Sequence, residues 1–293
     1  MAEAWPIAAA PTPQGAAASL AVTVAREAVR SLYRELALYP KPGLVSLVDN
    51  GSHDDMDAST FVRSLFSLRR YFLDIAAAGA HGADFDVLRR LGIEAEQRML
   101  TATGGINTHR GAIFSLGLLC AAAGRAGAGT GARALRAALQ DGWGEALASH
   151  RGTGTSHGAA ACARYAAAGA REQAAAGFPA VFELALPVLR RTLAAGRGMR
   201  CARIDALFAL MAELSDTNVY HRGGADGARI VRDTAMRFMA RGGSAAPDWL
   251  QEAEAAHRIF MRHRLSPGGA ADLLAATCFV HALDAEASPW QRG

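Results

Sequence analysis

Apolar residues recur at helical spacing along almost the whole of this chain, and no pair of alternating strand-like runs interrupts them. Leu20, Val24, Val29, Leu32 and Leu36 form the first such stripe. Alanine dominates, aromatic residues make up only 7% of the chain and hydrophobic residues 51%, a composition that builds packed helices in preference to sheets. The first stripe predicts a helix over 17–38, stopped by Tyr39, Pro40, Lys41, Pro42 and Gly43, whose prolines and glycine force a turn. Further helices are expected over 58–78, 84–102, 108–124, 131–149, 157–168, 178–195, 202–214, 225–241, 247–263 and 268–284, with Pro187 kinking or dividing its helix. No internal repeat and no long linker is visible; the Gly/Ala-rich stretch 123–132 is the most flexible connection. The expected architecture is therefore all-α, a single compact multi-helix domain of about ten helices over 17–293. Residues 1–16, broken by Pro6, Pro11 and Pro13, read as a disordered tail.

The same text narrows the function classes. A net charge of +4 is too small for a nucleic-acid-binding face, although it suits an anionic small molecule. Cys120, Cys162, Cys201 and Cys278 lie far apart with no zinc-ligand spacing, which predicts buried free thiols and a reducing, cytoplasmic setting. The longest apolar run, 111–124, is too short to span a bilayer, so no membrane partner is expected.

Five polar clusters stand outside the apolar stripes. Glu35 precedes the Tyr39–Ser46 turn, where two prolines flank Lys41. That lysine either aims at a phosphate or is a solvated turn residue, and Glu35 is either a carboxylate base or a surface residue. His53, Asp54, Asp55 and Asp57 then form a dense set of ligands that suits Mg²⁺ beside a triphosphate, while Asp57 also reads as a helix N-cap. The third cluster runs from Thr103 to Ala112. Gly104 and Gly105 fit a helix C-cap and Thr108 the next N-cap, with Asn107 beside it. His109 and Arg110 then fall in the first turn of a helix, where positive charge is misplaced unless an anion sits there. Asp216, Asn218, His221 and Arg222 gather at a helix end before Gly223 and Gly224. Ser266 and Pro267 start a last helix whose first turn holds Gly268 and Gly269, as if something must approach its backbone; Asp272 either points into the same cavity or complements the helix dipole. His81, His150, His157, His257, His263 and His281 read as structural or surface residues.

In this order the clusters resemble the triphosphoribosyl-dephospho-CoA synthase family. The matching text is YPKPGLV over 39–45, GSHDDMD over 51–57, GGINTHRGAIF over 104–114, DTN over 216–218 with HRGG over 221–224, and SPGG over 266–269 with DLL over 272–274. Where some relatives carry lysine, this chain has Arg110. The wording of 39–46 and 50–53 looks more like the malonate decarboxylase branch than the citrate lyase branch. The resemblance implies an enzyme that transfers the 5-triphosphoribosyl group of ATP to the 2′-hydroxyl of 3′-dephospho-CoA and releases adenine. Its product would be the precursor of an acyl carrier protein's prosthetic group, with the carrier and a downstream transferase met only indirectly.

On that footing Lys41, His109 and Arg110, with Gly104, Gly105 and Asn107, are expected to bind phosphates. Asp55 and Asp57 hold Mg²⁺ or stabilise positive charge at the sugar, and Glu35 or His53 is the base. Asp216, Asn218, His221, Arg222, Gly268 and Gly269 complete the pocket. Two other readings stay open: a metal-dependent nucleotide hydrolase on a helical scaffold, suggested by His53 and Asp54, and a non-catalytic helical module that docks a carrier protein.

Overall fold

The computed structural model describes residues 13–149 and 170–287, and among them helix is the only regular secondary structure. The order is α1 (Pro13–Leu36), α2 (Ala58–Ser67), α3 (Arg69–Ala80), α4 (Phe85–Thr103), α5 (Arg110–Ala126), α6 (Ala132–Ser149) and α7 (Ala170–Ala175). A π-helical turn (Ala180–Ala185) runs into α8 (Leu186–Ala194), followed by α9 (Gly198–Glu213), α10 (Thr217–Ala240), a 3-10 turn (Gly243–Ala245), α11 (Trp249–Arg262) and α12 (Gly268–Ala287). The all-α expectation holds. The helix expected over 157–168, together with His150, His157, Cys162 and residues 1–12 of the expected tail, lies outside the described residues. Residues 13–16 of that tail are already helical, because a proline fits the first turn of a helix.

α5 is buried at Ala112 and Ile113 and then without a break from Ser115 through Gly124, and it forms the centre of the core with the equally apolar α12. Helix α3 lies against it at very short range. A Cβ placed on Gly79 would lie 2.0 Å from the Ala121 carbonyl oxygen, and one on Gly124 2.0 Å from that of Ala76. The alanine and glycine content is what lets these backbones approach. Larger residues such as Leu116, Leu119, Phe72 and Phe279 fill the flanks, fully buried; truncating one to alanine costs about 2–5 kcal/mol.

Three boundaries differ from the pattern-based expectation. The helix expected over 58–78 divides at the fully buried Leu68 into α2 and α3. Pro187 divides its helix: it sits in the first turn of α8, has no N–H to bond back to Glu183, and the preceding turn takes the wider π form. α10 starts at Thr217, well before residue 225, and breaks at Gly224, whose φ of 61° and ψ of −156° no helix accommodates. The polar character of 217–224 hid this first segment, in which Val219 is the one buried side chain.

Candidate functional site

The loop between α1 and α2 carries Lys41 into the interior. Gly43 is pinned from α11, where its N–H donates to His257 Nδ1 at 3.2 Å, while His257 Nε2 faces Asp49 Oδ2 at 3.2 Å. Ser52 Oγ donates to the Leu265 carbonyl at 2.7 Å. His257 is thus structural, as expected, and the loop lies firmly on the junction of α11 and α12.

Lys41, 1% exposed, places its Nζ 2.5 Å from Glu35 Oε1, near the C-terminal end of α1. Burial pushes the Lys41 pKa down and the Glu35 pKa up, and each partner's charge resists the change in the other. Two more carboxylates lie at the start of the last helix, and one of them feels the charge of Glu35. Asp216 caps α10 through Oδ1, which accepts from the Asn218 N–H at 2.9 Å, and caps α12 through Oδ2, which accepts from the Ala270 N–H at 3.0 Å. Burial raises its pKa, while backbone donors at 218, 219, 269 and 270 stabilise its ionised form. Asp272 follows in the first turns of α12. Its pKa is raised well above the ordinary carboxylate range by burial first, then by the charges of Glu35 and Asp216, against one hydrogen bond from the Ala112 N–H. Desolvated beside the charges of Glu35 and Asp216, Asp272 is disfavoured from ionising together with them. Asp216 has the backbone donors and Glu35 has the lysine, so Asp272 is the carboxyl whose protonated form the surroundings favour most.

Asp272 also answers the question that Thr103 to Ala112 raised. The N-terminus of α5 faces a carboxyl group, and that group is a side chain of this protein. A Cβ on Gly111 would lie 1.9 Å from Asp272 Oδ2, so the carboxyl occupies the space that Gly111 leaves. Nor are the two basic residues a pair of free cations. Arg110, 43% exposed, pairs with Glu96 of α4. His109 is buried, and desolvation with the nearby Lys41 charge lowers its pKa to about 3, so it is neutral. Thr108 does not cap α5; its hydroxyl goes to Ser64, and Asn107 Oδ1 instead accepts from the Arg110 N–H at 3.2 Å. Gly104 and Gly105 do close α4, with left-handed φ of 69° and 91°, and both are exposed.

Above the buried group lies a more open rim. His53 Nδ1 is 3.0 Å from Arg222 Nη2, and its Nε2 is 2.8 Å from Ser266 Oγ. Since the guanidinium only donates, Nδ1 accepts and Nε2 carries the proton toward Ser266. Burial, then the Arg222 charge, lowers the His53 pKa to about 4. Arg222 also donates to the Ser52 carbonyl at 3.0 Å. Gly268 and Gly269 give room to Asn218 and Asp216, whose side-chain atoms come within 3.0 Å of where their Cβ atoms would stand. What approaches that backbone closely is a pair of protein side chains.

The structure therefore gathers Glu35, Lys41, His109, Asp216, Gly268, Gly269 and Asn218 around the start of α12, with His53 and Arg222 at the rim. Asp272 belongs at the centre, although its spacing within an apolar helix gave no reason to rank it above a dipole-complementing aspartate. Gly104, Gly105, Asn107 and Arg110 sit on the α4–α5 connection, and His221 lies exposed on α10. Asp55 and Asp57, the expected magnesium ligands, make separate contacts. Asp57 Oδ1 accepts from the Thr60 N–H, Thr60 Oγ1 and Ser59 Oγ, each at 2.8 Å, which makes it the N-cap of α2 and holds its pKa down to about 2. Asp55 is 62% exposed, and among the described residues its ion pair is with His53, at 3.6 Å. Among the described residues no group of three or more His, Cys, Asp or Glu side chains is arranged to hold a metal ion. No helix described is long and apolar enough to cross a membrane.

Comparison with known proteins extends this picture. A family model described as ATP:dephospho-CoA triphosphoribosyl transferase matches residues 21–290. A probable 2-(5″-triphosphoribosyl)-3′-dephosphocoenzyme-A synthase of Acinetobacter calcoaceticus is 42% identical over 254 residues, covering 85% of this chain and 87% of its own. Its namesake in Stutzerimonas stutzeri (strain A1501) is 43% identical, covering 93% and 95%. That of Pseudomonas syringae pv. tomato is 42% identical, covering 96% and 97%. No solved structure matches the chain.

Proposed function

The chain belongs to the ATP:dephospho-CoA triphosphoribosyl transferase family, and from that premise we propose that its buried carboxylate–lysine group carries out the transfer. The substrates are ATP and 3′-dephospho-CoA, and adenine is the leaving group. The observation that carries the proposal is the buried Glu35–Lys41 pair beside Asp272, whose pKa is driven up by burial and by the charges of Glu35 and Asp216.

The reaction breaks the bond between C1′ of the ATP ribose and N9 of adenine and forms one from C1′ to the 2′-oxygen of dephospho-CoA. Asp272, whose protonated form is favoured by burial and by the neighbouring carboxylates, donates its proton to the departing adenine. Glu35 takes the proton of the attacking 2′-hydroxyl, and passage of that proton to Asp272 restores the starting state. The remaining negative charge of the cluster favours positive charge at C1′, the role expected of Asp55 and Asp57. Glu35 suits the base better than His53, whose Nδ1 lone pair is occupied by Arg222. The phosphoanhydrides are gripped and left intact. Magnesium enters as part of the MgATP substrate, since Asp55 and Asp57 form no cage for it. The sequence wording around 39–53 directs the product to the carrier protein of malonate decarboxylase, with the work done in the cytoplasm.

Incubation with ATP, Mg²⁺ and dephospho-CoA, followed by chromatography, tests this. Free adenine should appear only with both nucleotides present; ADP or phosphate as the main product, or adenine without dephospho-CoA, refutes it.

A further inference from the structure

His109 precedes α5 with its ring in the core, 3% exposed, and Phe61 of α2 packs edge-on against it with centroids 5.0 Å apart. Its Nδ1 lies 2.6 Å from Ser64 Oγ, and Ser64 is completely buried. Thr108 Oγ1 lies 2.6 Å from the same Ser64 oxygen and donates to it. A serine hydroxyl has a single hydrogen. Ser64 accepts from Thr108, and when it gives its own hydrogen to Nδ1, Nδ1 carries the lone pair and Nε2 the proton.

Nε2 is buried and has no hydrogen-bond partner among the described residues. An orphaned N–H away from water costs about 1–3 kcal/mol, and folded proteins rarely keep one without a use. The lowered pKa of His109 keeps the ring neutral, so with Nδ1 accepting from Ser64 the feature on offer at Nε2 is a fixed donor. The Lys41 charge, close enough to act on the ring, suits an anionic oxygen in preference to a base nitrogen as the acceptor.

We propose that Ser64, backed by Thr108, is a positioning residue that holds His109 in its Nε2–H tautomer, so that this N–H donates to a phosphate oxygen of the bound nucleotide. The inference rests on the transferase reading for its ligand, and on geometry alone for the tautomer.

Nitrogen-15 spectra of histidine-labelled protein at pH 7 read the tautomer without any substrate. The wild type should show a protonated Nε2 and an unprotonated Nδ1 for His109. In Ser64→Ala that signature should change, and the dissociation constants for ATP and for inorganic triphosphate should each rise about fivefold, the worth of roughly one hydrogen bond. KM for ATP should rise more than kcat falls, and Ser64→Thr should restore both signature and affinity. Should Ser64→Ala fail to fold, Thr108→Val is expected to move the same readouts in the same direction. A wild-type His109 protonated on Nδ1 overturns the proposal. So does a Ser64→Ala protein that binds triphosphate as tightly as the wild type. Adenine release by the wild type tests the transferase reading separately.

Discussion

Replacing Gly111 by alanine separates the stability of this fold from its chemistry. By local rules the change is favourable: Gly111 lies in the first turn of α5, and alanine in a helix is worth up to about 1 kcal/mol over glycine. Against this, the new Cβ would lie 1.9 Å from Asp272 Oδ2, where real Cβ atoms essentially never come within 3.0 Å, so the carboxyl must retreat by about 1 Å. Forcing a methyl group into a packed site costs about 1–3 kcal/mol, leaving a net loss of roughly 0–2 kcal/mol and a fall in Tm of no more than about 8 °C. The proton donor, however, is then displaced from the leaving group, and a shift of that size costs on the order of a hundredfold in turnover. Gly92→Ala is the control. Gly92 lies within α4, its Cβ would meet only the Tyr71 hydroxyl at 3.8 Å, and the substitution should leave turnover unchanged. The assay pairs thermal unfolding with initial rates of adenine release. A Gly111→Ala enzyme with full turnover would refute the placement of Asp272 at the reacting centre.

Three further outcomes follow from the same geometry. Lys41→Met leaves Glu35 buried without its partner and should cost about 3–5 kcal/mol by denaturant titration, whereas Lys41→Met with Glu35→Leu should recover much of that loss. His53 and His109 have pKa values lowered to about 4 and about 3. The unfolded chain therefore binds protons that the folded one refuses, and stability, fully present above about pH 6.5, should fall as pH drops toward 4. The slope should approach about 1.4 kcal/mol per pH unit for His109 and less for the better-solvated His53, and His109→Phe should remove its share. Asp57→Ala should lower Tm slightly by uncapping α2 while leaving the magnesium dependence of KM for ATP unchanged; a shifted magnesium dependence would restore Asp57 as a ligand.

Much of the fold was legible because helix-forming signals are local. The stripe through Leu20 to Leu36, the caps at Asp57 and Gly104 and the break at Pro187 all act over a few residues, and all appear in the structure. Misjudged boundaries fell where polar residues masked the period, as at Thr217, or where a buried side chain divided a continuous pattern, as at Leu68. Residues rich in chemistry were also visible as clusters, because prolines, glycines and charges accumulate outside the apolar stripes.

What no local reading supplies is the partner of each charge. His109 and Arg110 looked like two cations awaiting an anion, yet one is neutral beside Ser64 and the other pairs with Glu96, while Asp272 meets the helix end from across the core. The amino-acid sequence by itself determined the helices and the apolar core and marked the polar clusters from which the buried group is drawn. The tertiary structure alone decided which groups hold protons and which are spent on capping. Protonation depends on burial and on charges brought close by helix crossings, and those distances are set by packing between segments far apart in the chain.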